Sequence, residues 1–360
     1  MLNIVSFNPS SVSRLMVRAT NWVGDAVMSL PAIRAIREHF RGAEIAIVAR
    51  PWVADVYARE RSIDRIIRYD AKDWRERIGF GLELGKHDFD CAILLQNAFD
   101  AAAMAWLAGI PRRIGYRRDG RGWLLTDAIR VPEPGETPRH ERFYYLELLR
   151  RAGIFEHYPP CAAIVLDGVE EARASGRKSM DILGLSGPFI GVSPGAAYGN
   201  AKRWLPERFA EAAVMLARDT DSRVLLFGSA SEREIAEKVA GAIREAGVGV
   251  HNFAGQTSLS GFIEFAANCR AMLTNDSGAM HIASALGLPT VAVFGATDDT
   301  TTGPTGPLAR VVRESVECSP CLLRECPIDH RCMTGVTAQR VAEAARELLA
   351  RAGEAAQSPC

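Results

Sequence analysis

The chain has 360 residues, of which 43 are basic and 43 acidic, so its formal net charge is +0. At roughly 100–200 residues per domain this length predicts two domains. A content of 48% apolar and 24% charged residues excludes a disordered or fibrous chain. The neutral total argues against a general nucleic-acid binder, because such proteins carry a basic excess, and we expect no nucleic acid among the partners.

The sequence lacks the segments that direct a chain into or across a membrane. Its longest strongly apolar stretch, 101–110, has about half the length that a bilayer-spanning helix needs. The opening MLNIVSFNPSSVSR lacks the basic start, long apolar core and cleavage site of a signal peptide. We therefore expect a cytoplasmic protein with reduced thiols.

Short apolar runs alternate with helical patterns along the first half of the chain. The predicted elements are strands over 14–20, 44–50, 65–70 and 89–97, and a helix over 25–40. This alternation is typical of β-α-β units, in which helices cover both faces of a parallel sheet. It weakens between 131 and 188, where clusters of Pro and Gly predict a domain boundary.

The second half repeats the pattern. Strands are predicted over 189–195, 223–229, 250–255, 271–276 and 290–295, and each ends in Gly, Asp or Ser, at the sheet edge where open α/β folds bind ligands. The predicted fold class is α/β, with two facing Rossmann-like domains. We expect an N-terminal domain over 1–165, a linker over 166–187, a C-terminal domain over 188–337, and a final helix and tail over 338–360.

The turn TNWVGD (20–25) follows the first predicted strand and contains a single glycine, Gly24. A dinucleotide site would need G-x-G-x-x-G there, so a nicotinamide or flavin site in this half is not expected. Asp25 has two interpretations. It is either a helix cap, worth about 1 kcal/mol, or a general base that the helix dipole keeps ionised.

The loop SPGAAYGNAKRW (193–204) runs from a strand end toward a helix. Its glycines allow close backbone approach, and Lys202 with Arg203 adds positive charge, which favours a diphosphate site. The alternative is a surface loop with solvated charges.

The segment TNDSGAMH (274–281) has the same position after a later strand. Asp276 and Ser277 can cap the next helix, Gly278 leaves room for a ligand, and His281 lies one turn further on the same face. A histidine buried in the core is the alternative for His281. Together the two loops predict a nucleotide diphosphate held by the second domain, with Asp25 as the reacting group.

Four segments of the chain resemble those of the lipopolysaccharide heptosyltransferases. They are TNWVGDAVMSLPAIRAI, PGAAYGNAKRW, TNDSGAMHIASALGLPTVAVFG and CSPCLLRECPIDHRC, the last of which resembles the heptosyltransferase II branch. The resemblance implies the glycosyltransferase B fold, with an acceptor domain before a donor domain. It also implies transfer of L-glycero-D-manno-heptose from ADP-heptose to a heptosyl-Kdo2-lipid A acceptor, and peripheral contact with the cytoplasmic face of the inner membrane.

The same resemblance assigns the site. Asp25 is expected to deprotonate an acceptor hydroxyl, which attacks the anomeric carbon with inversion. Lys202 and the helix start at Ser277 are expected to stabilise the departing ADP, so that catalysis needs no cofactor. Ala197 and Tyr198 stand where some relatives have threonines, so backbone amides would replace hydroxyl contacts. The expected donor-binding residues are Lys202, Glu232 (on the adenosine), Asp276, Ser277, Gly278 and His281.

Two further clusters have two interpretations each. The segment 111–121 is either a solvated loop or a site for the phosphates and carboxylates of the acceptor, which arginine recognises well. The spacing C-x2-C-x4-C-x5-C over 318–332 indicates either a structural zinc site or a loop with packed thiols. The residues are Arg112, Arg113, Arg117, Arg118 and Arg121 in the first cluster, and Cys318, Cys321, Cys326 and Cys332 in the second.

Three alternatives to this function remain open at this point. The first is a heptosyltransferase with another acceptor, the second a nucleotide-sugar epimerase of the same architecture, and the third a nucleotide-sugar binding protein without turnover. Asp25 and the arginine segment argue against the third, because simple binding needs neither a base nor an acceptor site.

Overall fold

The computed structural model describes residues 9–160 and 163–357. The chain divides into two compact units, Met1–Cys161 and Ala162–Cys360. Each unit is built on a six-stranded sheet whose strand pairs are all parallel. The predicted α/β class with two Rossmann-like domains is confirmed. Within the described residues, no helix combines the length and apolar character that crossing a bilayer requires.

The first sheet has the strand order β3-β2-β1-β4-β5-β6. Its central strands are buried along their length, as helices on both faces require, and this is why they are nearly continuous apolar runs in the sequence. The strands are β1 Arg14–Arg18, β2 Glu44–Ala49, β3 Arg65–Arg68, β4 Cys91–Leu94, β5 Arg112–Tyr116 and β6 Asp127–Ile129. The helices are α1 Val23–Met28, α2 Leu30–His39, α3 Pro51–Ala54, α4 Trp74–Leu84, α5 Phe99–Leu107 and α6 Arg142–Arg151.

Two predictions for this unit need correction. The single helix expected over 25–40 is divided at Ser29 into α1 and α2. Pro31 explains the break, because it has no amide hydrogen to donate to the carbonyl four residues earlier. The solvated-loop interpretation of 111–121 also fails over its first half, which is strand β5, with Ile114 and Tyr116 buried. The arginines on both sides of the short run 114–116 kept it from being recognised as a strand in the sequence.

The second sheet has the order β12-β11-β10-β7-β8-β9, which repeats the topology of the first. Its strands are β7 Phe189–Ser193, β8 Arg223–Leu226, β9 Val250–Asn252, β10 Ala271–Asn275, β11 Thr290–Phe294 and β12 Ala309–Arg313. Its helices are α7 Val169–Ile182, α8 Pro206–Asp219, α9 Arg233–Glu245, α10 Leu259–Ala266, α11 Gly278–Ala285, α12 Asp299–Thr302, α13 Arg331–Thr334 and α14 Ala338–Gln357.

The two segments that the sequence set apart from the domains belong to this second unit. The expected linker 166–187 contains α7, which packs against α10 so closely that a Cβ on Gly176 would lie 2.1 Å from the carbonyl oxygen of Glu264. The final segment forms α14, which packs on α8 and on the sheet. Residues 358–360 lie outside the described part of the chain.

The strand orders fix where each unit can bind a ligand. In both sheets the first strand lies between two later strands, β1 between β2 and β4 and β7 between β8 and β10, so the chain extends the sheet first to one side and then to the other. Ligands of open α/β sheets bind at such switch points, at the carboxyl ends of the strands. The loops after β1 and β4, and after β7 and β10, are therefore the places to look for a site.

Candidate active site

Asp25 lies in the first turn of α1, just beyond the end of β1. The N-cap position belongs to Trp22, whose side chain makes no capping hydrogen bond, so Asp25 is not the helix cap. Instead, the Asp25 carboxylate lies near the buried side chain of Tyr145 on α6. Burial and the nearby charge of Asp25 raise the pKa of Tyr145 well above its ordinary value, which keeps its hydroxyl protonated.

A second carboxyl group lies near Asp25. Glu141 is the residue before α6, and its side chain is half-buried. Burial, followed by the charge of Asp25, raises the pKa of Glu141 to about 7, while Arg118 acts in the opposite direction. Glu141 therefore changes its charge near neutral pH, beside the predicted base. No motif marked it in the sequence, because only the folded chain brings α6 to α1.

Two of the predicted acceptor-binding arginines are exposed. Arg118 Nη1 lies 3.3 Å from the hydroxyl of Tyr144, which accepts a hydrogen bond of 3.0 Å from Asn97 at the end of β4. The side chain of Arg117 runs over Gly122, where a Cβ would come within 2.8 Å of Arg117 Cγ. Both arginines thus lie beyond the end of β5, on the exposed loop.

The other three arginines are held by the fold. Arg112 pairs with Asp127 on β6, with two contacts of 3.2 and 2.9 Å. Arg113 donates to the carbonyl oxygen of Leu124 at 2.7 Å. Arg121 is fully buried and donates to the backbone carbonyls of Tyr116, Gln96 and Ala98, and its burial lowers its pKa to about 10. These contacts fix the positions of the three arginines and of the loops around them. Of the five arginines, Arg117 and Arg118 are therefore the two that are exposed to an anionic ligand.

In the second unit, two predicted donor-binding residues form a buried ion pair. Lys202 Nζ lies 2.5 Å from Asp276 Oδ2, with side chains 13% and 5% exposed. The hydroxyl of Thr297 donates to the same carboxylate oxygen, and the Tyr198 ring lies 4.8 Å from Lys202 Nζ. The solvated-loop interpretation of this segment is therefore wrong.

Asn275 joins the two loops that carry this pair. Its side chain is fully buried, its Nδ2 donates to the carbonyl oxygen of Pro194 at 2.8 Å, and its Oδ1 accepts from the backbone amide of Trp204 at 2.9 Å. The segment 194–204 is thereby attached to the end of β10. Sequence reasoning missed this residue, although it lies beside Asp276 in the motif.

The start of α11 lies at the same edge. Ser277 occupies the N-cap position, but its side chain makes no capping hydrogen bond and lies 3.2 Å from Thr274 Oγ1 instead. Gly278 begins the helix, and His281 is buried one turn later, 6% exposed. Helix N-termini attract anions through their amides and dipole, so this end suits a phosphate group.

Glu232 lies against the same loop. Its Oε2 accepts hydrogen bonds of 2.8 Å from both the amide and the hydroxyl of Ser229. Its Oε1 occupies the space where a side chain on Gly195 would begin, because a Cβ there would lie 2.1 Å away. Gly195 is thus required for Glu232 to contact the loop 193–204, which we call the donor loop because the sequence predicts a diphosphate site in it.

The cysteine segment supports the lysine loop rather than a metal. Across 9–160 and 163–357, no group of three or more His, Cys, Asp or Glu side chains is arranged to hold a metal ion, so the zinc interpretation of Cys318, Cys321, Cys326 and Cys332 is not supported. All four are free cysteines, and Cys332 is buried. The alternative, a loop with packed thiols, holds for Cys332 alone, because Cys318 is exposed and Cys321 and Cys326 are partly exposed.

Three hydrogen bonds connect this segment to the loop that carries Lys202. The Tyr198 hydroxyl donates to the carbonyl oxygen of Leu322 at 2.9 Å. The amide of Ala201 donates to the carbonyl oxygen of Arg324 at 3.1 Å, and the amide of Cys326 donates to Asn200 Oδ1 at 3.1 Å. The segment 318–332 therefore helps to fix the position of Lys202.

The chain is similar in sequence to proteins of one family. The model of glycosyltransferase family 9 (heptosyltransferase) matches residues 77–331. The chain is 33% identical over 309 residues to lipopolysaccharide heptosyltransferase 2 of Escherichia coli, covering 83% of this chain and 88% of that protein. It is 31% identical over 349 residues to the Salmonella typhimurium protein of the same name, covering 94% and 99%.

Solved structures show the same fold. The structure of E. coli ADP-heptose lps heptosyltransferase II matches with a TM-score of 0.81 and 31% identity, covering 94% of this chain and 99% of that one. A glycosyltransferase family 9 structure from Veillonella parvula matches with a TM-score of 0.80 at 22% identity, which shows the fold alone. The glycosyltransferase B fold implied by the sequence is confirmed.

Proposed function

The chain belongs to glycosyltransferase family 9, the heptosyltransferases, and on that basis we propose that it transfers a heptose from ADP-heptose to the inner core of lipopolysaccharide. The proposed sugar is L-glycero-D-manno-heptose, and the proposed acceptor is heptosyl-Kdo2-lipid A. The observation that carries the proposal is the Lys202–Asp276 pair beside the start of α11, at the switch point of the second unit.

The second unit would hold the donor. Lys202 is a cation beside the free helix start at Ser277 and Gly278, and a diphosphate needs this combination of ammonium and amide groups. Asp276 and His281 lie on either side of that helix start and would contact the sugar. Glu232, which lies against the same loop, would hold the adenosine.

The first unit would supply the base. Asp25 takes the proton of an acceptor hydroxyl, whose oxygen forms a bond to the anomeric carbon of the heptose. The bond from that carbon to the phosphate oxygen breaks on the opposite side, and ADP leaves with the electron pair, which inverts the anomeric centre. The protonated hydroxyl of Tyr145 is near the Asp25 carboxylate and would orient it for this step.

Charge that develops on the departing ADP would be met by groups of the protein. Lys202 and the amides at the start of α11 are already in place before the reaction, so they stabilise that charge without reorganisation. We therefore expect transfer to proceed at an unchanged rate in excess EDTA. Loss of activity that added Mg²⁺ restores would contradict this assignment.

The test of the whole proposal is acceptor-dependent release of ADP by the Asp25→Asn variant. We expect turnover to fall by about a thousandfold or more, with the affinity for ADP-heptose nearly unchanged, because Asp25 lies in the other unit from the donor residues. Asp88→Asn is the matched control, since Asp88 is 82% exposed on the same unit. Near-normal turnover of Asp25→Asn, or ADP release without sugar transfer in the parent protein, would contradict the proposal.

A lipid-linked acceptor also places the reaction at a membrane. Because the acceptor proposed here is anchored by lipid A, we propose that the enzyme acts at the cytoplasmic face of the inner membrane. Among the described residues, no helix is long and apolar enough to span a bilayer.

A further inference from the structure

The tryptophans are distributed unevenly between the two units. Five of the six lie in the first unit, each more than half exposed, whereas Trp204 of the second unit is fully buried. Tryptophan is one of the most buried residue types on average, and exposed tryptophans concentrate where one side meets an apolar phase and the other meets water. The first unit therefore has an exposed apolar surface, and packing in the core of that unit does not account for it.

Three of the exposed aromatic rings form one cluster. Phe99 and Trp106 are seven residues apart on α5, so they lie on the same face of that helix, and they are 46% and 51% exposed. The ring of Trp123, which is 72% exposed, lies 6.3 Å from the Phe99 ring and 6.5 Å from the Trp106 ring.

An apolar stripe on α4 lies next to this cluster. Trp74, Ile78 and Leu82 follow each other at intervals of four residues, and they are 65%, 40% and 58% exposed. Helix α4 packs directly beside α5, so closely that a Cβ on Gly81 would lie 3.0 Å from Leu107 Cβ. We define the aromatic patch as the six side chains Trp74, Ile78, Leu82, Phe99, Trp106 and Trp123.

Cations border the aromatic patch. Arg117 and Arg118 are exposed on the loop that leads to Trp123, and Arg118 Nε lies 3.5 Å from Asp119, the one acidic residue of segment 111–121. The guanidinium group of Arg75 lies 5.2 Å from the Trp74 ring. Acidic residues of α4 are engaged locally, since Glu83 pairs with Lys86 and Glu76 accepts from the backbone amide of Lys72.

We propose that the aromatic patch and its bordering arginines are the surface by which this protein binds an anionic lipid bilayer. Tryptophan side chains enter the interface between headgroups and acyl chains, and nearby cations are attracted to the charge of an anionic membrane. The proposal rests on the function proposed above, which requires a lipid-linked acceptor.

Two features favour lipid over a second copy of the chain. A symmetric dimer on this surface would bring the arginine loops of both copies together, and their like charges would repel. The patch also extends to the carboxyl edge of the sheet, because Trp74 and Phe99 are the first residues of their helices. A membrane bound there would lie at the edge where Asp25 is found.

Sedimentation with lipid vesicles tests the inference without donor or acceptor. We expect the full chain to bind phosphatidylcholine vesicles that contain phosphatidylglycerol, and to bind vesicles of phosphatidylcholine alone much more weakly. The double variant Trp106→Ser with Trp123→Ser should bind the anionic vesicles about tenfold or more weakly. Ile182→Ser is the control, because Ile182 is 86% exposed on the second unit, and it should bind like the parent.

Equal binding by the double variant and the parent would overturn the inference. A dimer in sedimentation velocity that the double variant abolishes would do so too, because a second copy would then cover the patch. If the double variant fails to fold, Leu82→Ser provides the same test from α4. Vesicle binding by a parent protein that transfers no heptose would refute the proposed function and leave the membrane surface standing.

Discussion

Lys202 Nζ and Asp276 Oδ2 lie 2.5 Å apart, and both side chains are largely removed from solvent. One residue follows β7 and the other follows β10, so the pair forms where the strand order of the second sheet reverses. In a buried pair of this kind each side chain compensates the charge of the other. Removing either one leaves a buried charge without a partner. Function and stability are therefore coupled at this site, and the two effects can be separated by experiment.

The first prediction separates the effect of this pair on stability from its effect on ADP binding. Lys202→Met should lower the free energy of unfolding by about 3–5 kcal/mol, because Asp276 stays buried without its partner. Adding Asp276→Asn should restore most of that loss but none of the affinity for ADP. Urea denaturation and calorimetric titration with ADP measure the two quantities.

A matched control comes from an exposed pair on α9. Lys238 and Glu234 are 64% and 84% exposed, and Lys238→Met should change the stability by less than about 0.5 kcal/mol. A double variant at Lys202 and Asp276 as unstable as the single one would show that the pair is not the source of the loss.

The second prediction concerns the arginine loop. Charge reversal by Arg117→Glu with Arg118→Glu should raise the KM for the acceptor by about tenfold or more and leave the KM for ADP-heptose unchanged. Lys238→Glu with Arg244→Glu reverses two exposed cations on α9 and should change neither constant. An unchanged acceptor KM in the first variant would return the loop to a purely structural role.

The third prediction concerns Glu141, whose pKa of about 7 lies above that of an unfolded glutamate. Its contribution to stability is complete below about pH 4.5 and is lost as the pH rises toward 7, because the unfolded chain ionises first. We therefore expect Glu141→Gln to gain about 3 kcal/mol of unfolding free energy relative to the parent when the pH is raised from 4 to 8. Urea titrations at both pH values measure this difference, and a difference that does not change with pH would contradict the assignment.

The fourth prediction concerns the space beside Glu232. Gly195→Ala would place a Cβ 2.1 Å from Glu232 Oε1, so the carboxylate must move away from the donor loop. We expect the affinity for ADP to fall by about tenfold, with less than about 1 kcal/mol lost in stability, since the far end of a side chain can yield. Gly241→Ala on α9 meets nothing within 4 Å and should leave ADP binding unchanged. Unaltered ADP binding by Gly195→Ala would remove Glu232 from the donor site.

The amino-acid sequence alone determined the fold class and the loops that carry the candidate site. Strands such as β1, β2 and β10 are continuous apolar runs because both of their faces are buried, and that requirement is visible residue by residue. The edge strand β6 and the arginine-rich β5 were missed, because their partial burial leaves no such run. The roles proposed for Asp25, Lys202 and the other site residues came from motifs and stay predictions.

Only the tertiary structure decided which charged side chains lie close to one another. Glu141 has no motif, yet it lies beside Asp25 because α6 packs near α1, and the shared burial moves its pKa toward neutrality. The Lys202–Asp276 pair depends on Asn275, which attaches one loop to the other through buried hydrogen bonds. The sequence marked the five arginines of segment 111–121, but only the structure shows that three are held by the fold and that Arg117 and Arg118 are exposed. Composition and local patterns carry no distances, and the electrostatics of a site depends on distance and burial.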